Sequence, residues 1–301
     1  MRASHQARTI CFGKLPIAGD FLRGDGAAPE FRELDDWIQH GMYDSQQRVG
    51  ADWQQRFDAL PRGRFVWTES RNKGTVIAGF WQSSQDGVGR RYPFLLAVRL
   101  PKVDADHVSA VPFAIADWEV GARQLLDSRF EGLDVVRAIE TAQALPCEPD
   151  WAAACSRRDA ALREREAERS WNGHDDLPEL LLHDLEQVSR QQSPPRYSLR
   201  WRCGSDAADV AFWLEAMHRF GATPRLLQWD GSGVARAALC PLQPRLFAGM
   251  ALPTLDDDDA YDMGRNGGED PRTHAAKQRF AAAVRADDQA HALAALPQGG
   301  R

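Results

Sequence analysis

The sequence predicts a mixed α/β protein whose central mixed sheet is largely antiparallel and is flanked by helices. Three runs rich in β-branched and aromatic residues follow one another closely at 65–67, 75–81 and 94–100, which is typical of consecutive antiparallel strands. Segments with an apolar residue every three or four positions lie on both sides of these runs, as in amphipathic helices. The charged segment in the middle of the chain lacks Gly-, Ser- or Pro-rich linkers on both sides, so one sheet explains the pattern better than two domains.

The first elements surround a bend. Residues 9–12 are apolar or β-branched and residues 21–22 resume an extended pattern, so we expect two short strands. Between them, Gly19 would permit a positive φ or the close approach of another strand, and Pro16 fixes its own φ. We therefore expect a stiff loop between the two strands that exposes Lys14, Asp20 and Arg23.

The remaining elements follow from periodicity and from turn residues. Helices are predicted at 29–49, 53–60, 115–130, 135–144, 177–188 and 210–220, a break at 193–195, a strand at 197–203, and a hairpin from 225–229 to 234–239 across Asp230-Gly231-Ser232-Gly233. Five tryptophans lie where this periodicity points inward, so we expect core positions for Trp37, Trp53, Trp67, Trp81 and Trp118.

Domain organisation follows from changes in composition. We expect one α/β domain over residues 1–255, with a charged helical insertion at about 147–173. Its charges, such as Asp159 and Arg163 four positions apart, suit a solvated outer helix, and a docking surface is the alternative. Residues 256–301 begin with an acidic run and become Ala-rich, which indicates a weakly docked helical tail or a mobile extension.

Charge and cysteine content limit the function classes. The net charge of −6 argues against a general nucleic-acid binder, which needs a basic face. No apolar run reaches the roughly 18 residues of a membrane helix, and residues 1–9 are polar, unlike a signal peptide. The five cysteines are widely spaced, without a C-x-x-C pair, as in proteins that keep their thiols reduced. We expect a cytoplasmic protein with no nucleic-acid partner and no membrane span.

Two motifs carry a resemblance to a known family. The first reads Gly13-Lys14-Leu15-Pro16, then Gly19-Asp20-Phe21 and Arg23; the second comprises Asp86, Val88-Gly89-Arg90 and Tyr92-Pro93, and Trp37, Gly41 and Trp53 lie between them. Together they resemble the signature of the TagF family, proteins associated with bacterial type VI secretion. Ser83-Ser84 stands where the family usually has Pro-Ser, which makes that turn less rigid. The resemblance is close over the first third of the chain and loose beyond it.

The resemblance implies a fold, a role and a partner. The fold is a three-layer α/β/α sandwich, and the role is negative, post-translational regulation of type VI secretion. The implied partner is a cytoplasmic component of the apparatus, above all its forkhead-associated-domain scaffold protein, held inactive by occupation of a surface.

The charged residues of the two motifs are the candidate partner-binding residues. We expect the two loops to meet beside the same sheet edge and to form one polar surface that comprises Lys14, Asp20, Arg23, Asp86, Arg90 and Arg91. The alternative is structural: Asp20 and Arg90 would form an internal ion pair that fixes the loops and contacts no partner.

Enzymatic interpretations of the second motif lack support in the sequence. A dinucleotide fingerprint fails because Tyr92 stands where a third glycine is needed and Pro93 blocks a helix. A metal-dependent phosphatase needs further carboxylates that converge on two metal ions, and the acidic residues 256–259 and 269–270 belong to the predicted tail. We expect no catalytic residue, no metal and no cofactor. The alternative function is an enzyme of unrecognised type, or a small-ligand binding module, with a pocket near residues 86–93.

Overall fold

Nine strands form one sheet in the part of the chain that the structure, a computed structural model, describes. That part comprises residues 6–24, 29–68, 74–167, 182, 184–188, 190, 198–230, 232–239, 241–251 and 260–263. The strands are β1 Arg8–Gly13, β2 Leu22–Gly24, β3 Gly63–Thr68, β4 Val76–Gln82, β5 Phe94–Leu100, β6 Ser198–Arg202, β7 Leu226–Asp230, β8 Val234–Ala238 and β9 Ala260–Asp262.

The order of strands in the sheet is β2-β1-β5-β4-β3-β7-β8-β6-β9. All neighbours are antiparallel except β6 and β9, which run parallel. The prediction of a mixed, largely antiparallel sheet is therefore confirmed. β3 lies at its centre, with four strands on either side.

Helices precede, follow and interrupt the strands in the predicted order. They are α1 Pro29–Val49, α2 Trp53–Asp58, α3 Val111–Ala114, α4 Ala116–Asp127, α5 Val135–Gln143, α6 Trp151–Ala167, α7 Ala207–Arg219 and α8 Leu246–Ala251, with 3-10 helices at Gly50–Asp52 and Ala105–Ala110. The helix predicted from residue 115 starts at 116, because residues 105–114 form their own short turns around Pro112. Of the helix predicted at 177–188, residues 182 and 184–188 are described and helical; the break at 193–195 lies outside the described residues.

Alternating residues along the strands enter two apolar clusters. Phe80 and Leu96 join side chains of α4, α5, α6 and α7, whereas Trp67 and Leu95 join side chains of α1, α2 and α8. Helical side chains therefore pack on both faces of the sheet, which is the distribution that an α/β/α arrangement requires. The five tryptophans predicted to be internal are all buried.

Helix α6, which contains the charged run, is not only a solvated outer helix. Ala154, Ala161 and Leu162 of this helix are buried, and its Arg165 Nε lies 3.0 Å from Asp209 Oδ1 on α7. Part of the charge therefore joins two helices. The predicted tail contributes β9, and residues 256–259 and 264–301 lie outside the described residues.

Substitution of Trp213 tests the larger cluster. Trp213 of α7 is 1% exposed and contacts Trp201 and Phe212 edge to face. We expect Trp213→Ala to lower the free energy of unfolding by about 3–5 kcal/mol because it leaves a cavity, as measured by urea denaturation. The control Val136→Ala, at a position 63% exposed, should change it by less than ~0.5 kcal/mol. Equal effects would contradict the assignment of Trp213 to the core.

Candidate partner-binding site

The two motif loops lie side by side because their strands are neighbours. β1 ends at Gly13 and β5 begins at Phe94, and these strands pair antiparallel. Gly13 has φ +122°, and a Cβ there would overlap the carbonyl oxygen of Pro93. The Gly87 N–H donates to the carbonyl oxygen of Ala18 over 2.7 Å. The structure thus brings the loops together, as predicted.

The glycine that permits this approach is not the one predicted. Gly19 has no positive φ, and a Cβ there would meet no atom within 4 Å. Gly13 and Gly89, with φ +122° and +86°, adopt the backbone conformations that favour glycine. The prediction for Gly19 was wrong because a sequence shows where glycines are but not which of them meets a neighbouring strand.

Asp86 is the centre of the site. Its side chain is buried, and its Oδ2 lies 3.0 Å from Lys14 Nζ and 2.7 Å from Arg90 Nε. Its Oδ1 accepts hydrogen bonds from the backbone N–H groups of Val88 (3.1 Å) and Arg90 (2.8 Å). Lys14 is also buried, at 6% exposure. We call Lys14, Asp86 and Arg90 the Asp86 cluster.

These contacts keep Asp86 ionised. Burial alone would raise its pKa, but the Arg90 N–H, the Lys14 ammonium, the Arg90 guanidinium and the Val88 N–H all stabilise the charged form. Together they hold the pKa of the Asp86 carboxyl well below its usual range. Such a carboxylate is a weak base, and its oxygens are already engaged by four donors.

The predicted Asp20–Arg90 ion pair does not fix the loops. Arg90 Nη2 donates to the carbonyl oxygen of Gly19 over 2.7 Å. The same nitrogen lies 4.0 Å from Asp20 Oδ1, and the side chain of Asp20 is 83% exposed. Asp20 Oδ1 instead accepts from the N–H of Phe21 over 2.8 Å. The ion pair that joins the two loops is the one between Lys14 and Asp86.

Arg23 and Arg91 lie in different surroundings. Arg23 on β2 is exposed, and its guanidinium carbon lies 5.7 Å from the centre of the Phe21 ring. Arg91 forms two hydrogen bonds of 2.8 Å with Asp58 of α2, which raises the pKa of its guanidinium. Arg91 therefore joins the loop to α2 and does not belong to the Asp86 cluster.

Residues that the sequence did not single out as site residues anchor the loops to the helices. Tyr92 packs on Phe12 and Phe21, and its hydroxyl donates to Asp35 Oδ1 of α1 over 2.6 Å. Burial and this hydrogen bond raise the pKa of Tyr92. Tyr92 was visible in the motif, but its partner Asp35 and the Arg91 partner Asp58 carried no signal in the sequence.

The solvent-facing part of the site is small and of mixed charge. Val88 at the loop tip is 70% exposed, and the side chains of Arg90 and Asp20 are 56% and 83% exposed. We call Asp20, Arg23, Val88 and Arg90 the exposed rim. The candidates thus divide into buried Lys14 and Asp86, which fix the loops, Arg91, which pairs with Asp58, and the exposed Asp20, Arg23 and Arg90, which a partner can contact.

The described part of the chain was also searched for metal ligands, reactive thiols and membrane helices. No group of three or more His, Cys, Asp or Glu side chains there could hold a metal ion. Cys11, Cys147, Cys155 and Cys203 are free thiols, and burial raises the pKa of Cys147 to about 11; Cys240 lies outside the described residues. No helix in the described ranges is long and apolar enough to cross a bilayer.

Two sizeable cavities lie away from the motif loops. One of about 580 Å³ is lined by Asp106, Cys155, Glu215 and His218, among others, and one of about 350 Å³ by residues of β3, α4 and α7. Neither is lined by any residue from 83 to 93.

Comparison with known families gives a match to the N-terminal part of the chain. The family described as TagF N-terminal domain, type VI secretion system-associated, matches residues 10–145. Among solved structures, the chain is similar to PA0076 from Pseudomonas aeruginosa PAO1, with 28% identity, a TM-score of 0.40, and coverage of 47% of this chain and 64% of that chain. The match spans less than two thirds of PA0076. Comparison with curated proteins gives no match.

Asp86→Asn tests the role of the cluster through its pH dependence. The substitution leaves the buried Lys14 ammonium without its counter-charge, so we expect the melting temperature at pH 7 to fall by at least about 5 °C. Because the pKa of Asp86 is lowered on folding, its stabilisation is complete above its unfolded pKa of about 3.9. It declines as the pH falls toward the folded-state pKa, so the gap between the wild-type protein and the variant should narrow below about pH 4.

The control for this experiment is Asp20→Asn, at an exposed carboxylate of the same loops. It should shift the melting temperature by less than about 2 °C at any pH. A pH-independent difference for Asp86→Asn, or an equal loss for Asp20→Asn, would contradict the proposed structural role of Asp86.

Gly13→Ala tests the contact between the loops. The substitution introduces a Cβ that overlaps the Pro93 oxygen at a positive φ. We therefore expect the free energy of unfolding to fall by more than the ~1–3 kcal/mol that backbone strain alone would cost. Gly89→Ala is the matched control, because Gly89 also has a positive φ but open space around it. Thermal denaturation of both variants should rank Gly13→Ala as the less stable; the reverse order would show that the loops do not meet as described.

Proposed function

We propose that this chain, whose residues 10–145 match the TagF N-terminal domain family as the two motifs predicted, is a non-enzymatic negative regulator of type VI secretion. It acts by binding a component of the apparatus. The proposed partner is the forkhead-associated-domain scaffold protein, and the proposed location is the cytoplasm.

The division of the motif into a buried cluster and an exposed rim carries this proposal. Asp86 fixes its own loop through Arg90 and the Val88 N–H and joins it to the first loop through Lys14. The tip of the second loop carries an exposed valine beside charged side chains. A rigid surface with an apolar centre and a charged border loses little entropy on association and selects its partner by charge. These are the properties of a binding surface.

The same contacts favour binding over catalysis. Asp86 is a weak base with every oxygen engaged, Lys14 faces that carboxylate, and Arg91 is paired with Asp58. A general acid or base needs a pKa near the working pH and access to the substrate. The cavities of about 350 and 580 Å³ are lined by no residue from 83 to 93.

Val88→Asp tests the function at the exposed tip of the second loop. The side chain is exposed, so the fold should tolerate aspartate, whereas a charge placed at the centre of an interface opposes burial there. We expect the Kd for the purified forkhead-associated-domain scaffold to rise at least tenfold, about 1.4 kcal/mol, with an unchanged melting temperature. Secretion in cells that carry the variant should be derepressed.

Val136→Asp is the matched control, since Val136 of α5 is exposed to a similar degree, 63% against 70%. It should leave both binding and repression unchanged. If the scaffold fails to bind the wild-type protein, or if both variants bind as the wild-type protein does, the proposed surface is wrong.

A further inference from the structure

The turn between α4 and α5 holds two residues in a strained backbone conformation. Arg129 has φ +50° and Phe130 has φ +57°, values that residues other than glycine seldom adopt and that are outliers for a bulky side chain. Gly132 follows with φ +75°, where the lack of a Cβ avoids the strain. Strain of this kind persists only where the surrounding structure compensates for it, and it is common at functional sites.

Burial of Phe130 supplies this compensation. Phe130 is 1% exposed, whereas the other four residues of the turn 128–132 are exposed. Backbone hydrogen bonds hold the turn on both sides of the ring. The Glu131 N–H donates to the Ser128 carbonyl oxygen over 3.0 Å, and the Leu133 N–H donates to the Phe130 carbonyl oxygen over 3.2 Å. The strained turn therefore inserts a single aromatic ring into the apolar cluster below it.

This ring packs against the strand that follows the second motif loop. Phe130 contacts Phe94 edge to face, with ring centres 5.4 Å apart and an angle of 78° between the planes. Phe94 is the first residue of β5 and comes directly after Pro93 of the motif. A Cβ on Gly13 would overlap the Pro93 carbonyl oxygen and would lie 2.9 Å from Phe94 Cα. The backbone of Phe94 is thus fixed beside Gly13, and its ring is held by Phe130.

The end of the second motif loop is therefore held from both faces of the sheet. Tyr92 belongs to the apolar cluster under α1 and α2, and Phe94 belongs to the cluster under α4 and α5. On the first face the Tyr92 hydroxyl is anchored by Asp35, and on the second face the Phe94 ring is anchored by Phe130. A shift of Phe94 would move Pro93 with it, and so would change the position of the loop against β1.

We propose that Phe130 is a positioning residue for the partner-binding surface. The strained turn between α4 and α5 holds its ring against Phe94, and this contact fixes the end of the loop that carries Val88 and Arg90. An edge-to-face aromatic pair contributes more than its buried area alone, and a surface held in its binding conformation loses little entropy on association. The consequence for partner affinity rests on the function proposed above, whereas the consequence for the loop does not.

Hydrogen–deuterium exchange of the full chain tests the effect on the loop. Phe130→Leu keeps an apolar side chain but removes the ring contact. We expect the backbone amides of residues 86–92 to exchange about three- to tenfold faster, because local opening becomes easier. The melting temperature should fall by about 2–5 °C.

Phe212→Leu is the matched control. Phe212 of α7 is 3% exposed, belongs to the same apolar cluster and also forms an edge-to-face contact, with Trp213 at 5.1 Å. It should lower the melting temperature to a similar degree but leave the exchange of residues 86–92 unchanged. Equal exchange of these amides in both variants, or wild-type exchange in Phe130→Leu, would overturn the proposal.

Titration calorimetry with the purified forkhead-associated-domain scaffold, well below both melting temperatures, tests the effect on binding. We expect a Kd about fivefold higher for Phe130→Leu and an unchanged Kd for Phe212→Leu. Where the wild-type protein binds, equal Kd values for the two variants would overturn the role of Phe130 in positioning. If the wild-type protein does not bind, the function proposed above fails, and the exchange measurement still decides the role of Phe130 in the loop.

Arg129→Gly tests the strain itself. Arg129 is exposed, and glycine adopts a positive φ without steric cost. We expect the melting temperature to rise by about 1–3 °C, with wild-type exchange of residues 86–92. A lower melting temperature would show that the turn is not strained and would contradict the mechanism.

Discussion

The contact between Lys14 and Asp86 is the constraint on which the site depends. Two opposite charges lie buried in neighbouring loops, 3.0 Å apart, where either alone would be costly. Asp86 satisfies the rest of its acceptor capacity with backbone N–H groups of its own loop. The ion pair therefore determines both the path of the second loop and its position against the first. Few other arrangements of these loops would leave both charges compensated.

Polar contacts also attach the second motif loop to the helices α1 and α2. Tyr92 connects the loop to Asp35 of α1, and Arg91 connects it to Asp58 of α2. Val88 and Arg90 therefore project from a loop that is attached at three places, which limits its motion relative to the sheet. A surface fixed in this way can bind a partner without an ordering penalty, which is why the contacts inside the motif matter for binding although they face away from solvent.

The sequence predicted the strands and helices well because their periodicity is a local property. Strands β3, β4 and β5 and helix α1 need only the pattern of residues 29–100. The sequence predicted less about the site, because the partners there are distant along the chain: Asp35 and Asp58 reach Tyr92 and Arg91 only after the sheet has formed. The sequence could not show whether Gly13 or Gly19 permits the close approach of the loops, because that depends on which of them meets a neighbouring strand.

A chain of contacts runs from the cavity of about 350 Å³ beside α4 to the motif loop. Asp127 lines the cavity and pairs with Arg62, whose Nε donates to Gln82 Oε1 over 3.0 Å. Gln82 is the last residue of β4, directly before the loop that contains Asp86. Contiguity alone does not couple two sites, because coupling requires that each ligand prefer the same one of two arrangements. The Asp86 cluster favours a single arrangement of the loop. The contacts alone therefore do not couple the cavity to the loop.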